Sequence, residues 1–172
     1  MRGAAAAVLI VAVSAVVGCH RPAPTTSAGA ERAAAFARVE EAREAFEEAR
    51  NRLGSRTGTA TDEASRAAFD AAFTRYQSEL ARFLTTALNL FPDAPETRSG
   101  VELYARSAVE IADQALARGG DLSAALQALA DARRNFDVVG TSPPAELGAA
   151  IERVRSRLGT QRTPLASGTA RP

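Results

Sequence analysis

Apolar side chains recur at intervals of four and three residues through most of this chain, and that rhythm belongs to the α-helix. Ala35, Val39, Ala42, Phe46, Ala49 and Leu53 form one such stripe. Phe69, Phe73, Tyr76, Leu80, Phe83, Ala87 and Leu90 form a second, and Leu84, Leu88 and Phe91 widen it towards its C-terminal end. That end is expected to be the more deeply buried. Runs of alternating β-branched residues, which a sheet would need, are missing after residue 19.

Breaks between the stripes mark the helix ends. The first helix is expected over 31–53, with GSRTGTAT at 54–61 as a flexible connection. Asp62 is placed to cap a second helix, which Pro92 and Pro95 stop after about Phe91. A third runs from about Glu96 to Arg118, with Val101, Tyr104, Ala108, Ile111 and Ala115 on one face and Gly119-Gly120 ending it. Asp121 caps a fourth, carrying Leu122, Ala125, Leu126, Leu129, Ala132 and Phe136, and Gly140 closes it. Ser142 is expected to cap a fifth, with Pro143 at its first position and Leu147, Ile151, Val154 and Leu158 on its face. The fold class is therefore all-α: about five helices packed as antiparallel α-hairpins over 31–158.

Charge and rare residues narrow the functions open to such a body. All 21 basic residues are arginine against 20 acids, a net charge of +1, which excludes a nucleic-acid binder driven by bulk positive charge. One cysteine excludes an internal disulfide framework and a multi-thiolate metal site. One histidine, His20, leaves Ser and Thr nucleophiles without a base in the body. No Gly-rich phosphate loop with a Lys is present. The expectation is a non-catalytic protein without cofactor or metal. The acidic run Glu40, Glu41, Glu44, Glu47 and Glu48 reads as a solvated helix face, with Glu48–Arg52 and Glu47–Arg50 as attractive pairs.

The N-terminus carries the most specific signal. Met1-Arg2-Gly3 is a short positive segment, and residues 4–17 are apolar apart from Ser14. Fourteen residues are short of the roughly 20 that cross a bilayer, and they suit the apolar region of a secretory signal. The run ends in Val16-Val17-Gly18-Cys19. This resembles the lipobox of bacterial lipoproteins. The resemblance implies cleavage between Gly18 and Cys19, a diacylglyceryl group on the Cys19 thiol and acylation of its new amino group. Several acyl chains would make the attachment to a lipid bilayer practically permanent. His20 stands where an Asp would retain an enteric lipoprotein in the inner membrane, so the resemblance implies the outer membrane, facing the periplasm. An uncleaved signal anchor is the alternative. Loss of residues 1–18 removes Arg2 and leaves 20 arginines against 20 acids. Residues 19–30, rich in Pro, Thr, Ser, Gly and Ala, read as a disordered tether, and 159–172 as a disordered basic tail.

Two segments of the body are similar to tetratricopeptide repeats. Residues 87–96 (ALNLFPDAPE) resemble the junction between two repeats, and Gly120-Asp121-Leu122 with Ala125, Leu126, Leu129 and Ala132 resembles the turn and second helix of one repeat. The spacing from Pro95 to Gly120 is too long for a 34-residue period, so at most one degenerate unit is present. The resemblance implies an assembly or coordination factor of the envelope. Arg106, Arg118, Arg133 and Arg134 are the candidates to meet an acidic partner protein. The competing expectation is an oligomeric spacer between outer membrane and cell wall, built on self-pairing of the first helix. Three alanines among six seam positions bury little area, so the protein is expected to be a monomer or weak homo-oligomer.

Overall fold

The computed structural model describes residues 26–55 and 63–161. The leader, Gly18, Cys19, His20, the Asp62 cap and the segment 162–172 lie outside the described residues. Those residues form five helices and no strand: α1 (Thr26–Ser55), α2 (Glu63–Leu90), α3 (Pro95–Arg118), α4 (Leu122–Val139) and α5 (Ala145–Gln161). The fold is all-α, as the periodicity requires. The chain divides after Gly100 into two compact units.

The first unit is built on an antiparallel hairpin of α1 and α2. Phe46 packs against Phe69, Phe73 and Tyr76 at ring separations of 5.4, 5.2 and 5.8 Å, and Phe36 against Phe83 at 5.2 Å. Lower numbers on α1 thus meet higher numbers on α2. Ion pairs Glu41–Arg75 (3.0 Å) and Arg38–Glu79 (3.9 Å) run in the same order. They are largely exposed, so the rings contribute more than the charges.

The buried face of α2 is Tyr76, Leu80, Phe83, Leu84, Ala87 and Leu88, towards its C-terminal end as expected. Leu90 departs from the expected stripe and is 50% exposed. A strict seven-residue spacing drifts by about 20° per heptad on a straight helix, so the three heptads from Phe69 to Leu90 rotate the stripe by about 60°. Leu84 and Leu88 take over the buried face.

Helix α2 stops at Pro92, which has no N–H to continue the ladder. The Phe91 carbonyl accepts the Ala94 N–H at 3.1 Å and the buried Thr97 hydroxyl at 2.7 Å. Arg32 closes this elbow from α1: its Nε donates to Glu96 at 3.1 Å, and its guanidinium lies 5.1 Å from the centre of the Phe91 ring. The carboxyl of Glu96 is held below its usual range, first by its own backbone N–H at the helix start and then by Arg32.

In the second unit, α3 and α5 run parallel and α4 antiparallel to both. Arg153 on α5 reaches Asp113 on α3 at 2.8 Å, while the earlier residues Leu147 and Ala105 share one cleft with Phe136 near the end of α4. The buried apolar side chains of α3 are Val101, Ala105, Ala108 and Ala112. The expected Tyr104, Ile111 and Ala115 are only half-buried, so the inward face of α3 is turned towards its small residues. Leu122, Leu129, Phe136, Leu147, Ile151 and Val154 are all buried. Asp121 caps α4 as expected, its Oδ1 accepting from the N–H groups of Ser123 (2.9 Å) and Ala124 (3.0 Å). Gly140 ends α4 at φ +66°, with Thr141 N–H donating to the Phe136 carbonyl at 3.1 Å.

Four boundaries differ from expectation, the first being the end of α1, which runs through Gly54 to Ser55, two residues into the expected connection. Helix α1 begins at Thr26 rather than 31, so 26–30 is not tether. The last proline before it is Pro24, Ser27 Oγ donates to Glu31 at 3.1 Å, and alanine-rich sequence favours the helix. Helix α5 begins at Ala145, two residues after the expected first position. Pro144 bars the α region to Pro143, so Ser142 cannot cap and Pro144 supplies the first accepting carbonyl, to Leu147 N–H. At its other end α5 continues through Gly159 to Gln161, with Thr160 Oγ1 donating to the Arg157 carbonyl at 2.8 Å. No proline intervenes before Pro164.

Candidate functional site

The second unit carries a cleft of about 480 Å³ where α4 is joined to α5. Its floor is apolar: Ala105, Phe136 and Leu147, all buried, with Val109 half-buried beside them. Little of that floor is open: Ala105, Phe136 and Leu147 are 1%, 4% and 0% exposed. The rim is polar and exposed. Glu102 and Arg106 stand one turn apart on α3, 3.9 Å between their charged groups, and Glu146 stands in the first turn of α5. The Ser142 hydroxyl completes the rim. Two exposed carboxylates and one guanidinium beside the half-buried Val109 suit a group that carries positive charge.

The four arginines singled out in the sequence are not one patch. Arg106 is at the rim. Arg133 and Arg134 lie on α4 within one turn of Phe136, which lines the cleft. Arg118 is twelve residues beyond Arg106 on α3, about 18 Å along the axis, at the opposite end of the unit. Arg134 is already engaged by Asp131. The basic character of the α5 end is likewise reduced, because Arg153 pairs with Asp113 (2.8 Å) and Arg155 with Glu152 (3.0 Å). On α1, Arg43 sits between Glu40 (2.8 Å) and Glu47 (2.9 Å), so the acidic face is neutralised along the helix.

Asp131 is the polar group that the apolar pattern did not disclose. It is buried on α4, and its Oδ1 accepts from Gln127 Nε2 at 2.9 Å and from Arg134. Its Oδ2 is buried without a hydrogen-bond partner. Burial, reinforced by this nearby carboxylate, pushes the Tyr104 hydroxyl up to about 12.

Among the described residues no three His, Cys, Asp or Glu side chains are placed to hold a metal ion, and no helix is long and apolar enough to cross a membrane. No protein-family model, curated protein or solved structure matches the chain.

Of the cleft residues, the sequence marks Phe136 and Leu147 as core, Ser142 as a cap and Arg106 as a partner contact. Glu102, Glu146 and Val109 were missed. Glutamates on helices are too common to be singled out, and only the parallel course of α3 and α5 brings these two to one rim.

Proposed function

We propose that this chain is a membrane-anchored lipoprotein of a bacterial envelope, whose helical body is a non-catalytic protein-binding scaffold. The observation that carries the anchor is the apolar run of residues 4–17 ending in Val16-Val17-Gly18-Cys19, with the chain's single cysteine in the acceptor position. The scaffold half rests on the α4–α5 cleft, where Glu102, Arg106 and Glu146 stand exposed beside the half-buried Val109. The outer membrane is the proposed location because residue 20 is His rather than Asp.

Helix α1 supports the scaffold over the coiled-coil spacer. Its seam residues Val39, Ala42 and Phe46 are buried, with Phe46 under the aromatic rings of α2. That seam is occupied within the chain and is not left over for a second α1.

The test is the mass of the N-terminal peptide of the native protein. A peptide starting at Cys19 and carrying diacylglyceryl and an amide-linked acyl chain is expected. An intact leader with a free thiol would overturn the reading.

A further inference from the structure

Charge is unevenly spread along the α1–α2 hairpin. Residues 38–55 of α1 carry nine charged side chains, whereas 26–37 carry two, Glu31 and Arg32. On α2, residues 63–82 carry six and 83–90 carry none. Because the helices are antiparallel, the two charge-poor stretches lie at the same end, where Phe36 meets Phe83 and Arg32 meets Phe91. The charges at the neighbouring elbow are balanced: Arg32 pairs with Glu96, and the exposed Asp93 and Arg98 have opposite sign. Here Leu90 is 50% exposed, the most exposed large apolar side chain among the described residues. Thr86 and Asn89, exposed on the last turn of α2 with it, are uncharged.

The path of the chain says what faces this end. Arg32, level with Phe91, is six residues or about 9 Å from the start of α1 at Thr26. Cys19 is seven residues before Thr26, at most about 25 Å of chain. The cysteine is therefore tied to the charge-poor end. Phe46, in the charge-dense half, is fourteen residues or about 21 Å further along α1. Moving charged groups out of water is costly, so only the charge-poor end meets a bilayer cheaply. One leucine is too little to hold a free protein on lipid, but on a short tether the contact is intramolecular and needs little affinity of its own.

We propose that the Leu90 end of the α1–α2 hairpin rests on the lipid bilayer that holds Cys19, with the Leu90 side chain among the headgroups and the charge-dense half directed away. The inference rests on the reading of Cys19 as acylated and adds which surface of the body meets the membrane. The contact is apolar, so salt leaves it in place.

The chain has no tryptophan, so a single introduced one reports its own surroundings. Full-length acylated protein carrying Leu90→Trp is reconstituted in vesicles of phosphatidylethanolamine and phosphatidylglycerol, with and without brominated acyl chains. Its emission is expected to be blue-shifted relative to the Cys19→Ser chain in buffer, and brominated lipid should remove about half of it, unchanged in about 0.5 M salt. Asn51→Trp, at the other end of the hairpin, should be neither shifted nor quenched. Thr86→Trp, one turn before Leu90 on the same face, should be quenched less, and Leu90→Asp in the same chain should abolish that quenching. Residues 51, 86 and 90 are all exposed, and an unchanged circular dichroism spectrum checks the fold of each variant. Equal quenching at 51 and 90, or loss of quenching in salt, overturns the proposal. A blue shift at 90 without quenching by brominated lipid means that protein covers Leu90, and overturns it too. The mass of the N-terminal peptide of the same sample separates the two readings. An acylated Cys19 with an unquenched residue 90 overturns this inference and leaves the anchor standing, whereas an unmodified Cys19 overturns both.

Discussion

Gly100 shows how one missing methyl group sets a packing distance. A Cβ at this position would stand 2.8 Å from Phe83 Cε1 and 3.2 Å from Leu84 Cδ2, both on buried side chains. In an exposed helix, Gly→Ala would stabilise by about 1 kcal/mol. Here overpacking dominates, and Gly100→Ala is expected to destabilise by about 1–3 kcal/mol in urea unfolding. A gain in stability would mean that the α2–α3 elbow opens easily. Tyr104 gives a pH prediction. Its hydroxyl is raised to about 12 in the folded chain, against about 10 when unfolded. The folded state holds its proton more tightly, so this contribution is fully present below pH 10 and is lost as pH rises from 10 to 12. The difference in 295 nm absorbance between the native protein and Tyr104→Phe should titrate with a midpoint near 12; a midpoint near 10 would place the hydroxyl in water.

At the scale of elements, the α1–α2 hairpin depends on one aromatic cluster. Phe46 is 5% exposed and meets three rings of α2, whereas Leu90 is 50% exposed. Phe46→Ala is expected to cost about 3–5 kcal/mol, and Leu90→Ala to stay within about 0.5 kcal/mol of zero. Equal effects in chemical denaturation would refute the register given by Phe46 and the α2 rings. The helices themselves were legible, because the 4-3 spacing, the prolines and Asp121 act within a turn or two of where they stand. Their ends were less so. The start of α5 moved because two consecutive prolines constrain each other, and the start of α1 moved because a Ser–Glu contact and alanine propensity extend it through residues that read as tether.

At the scale of the whole molecule, the proposed anchor and the helical body are separate pieces of chemistry. The lipobox resemblance is confined to the first nineteen residues, and the described helices begin at Thr26. Cys19→Ser is therefore expected to remove the acyl mass and release the protein from the membrane fraction. The far-UV circular dichroism and thermal midpoint of the detergent-solubilised protein should stay unchanged. A lower midpoint would tie the fold to the anchor.

The sequence by itself determined that the body is all-helical and where most helices stop, because both are written within a few neighbouring residues. Tertiary structure decided which alanines of α3 turn inward, that Glu102 and Glu146 share a rim above Phe136, that Asp131 is buried, and that Arg118 stands apart from the other three arginines. Those outcomes depend on residues far apart in the chain being brought side by side, and helical periodicity carries a face but not the identity of what lies against it.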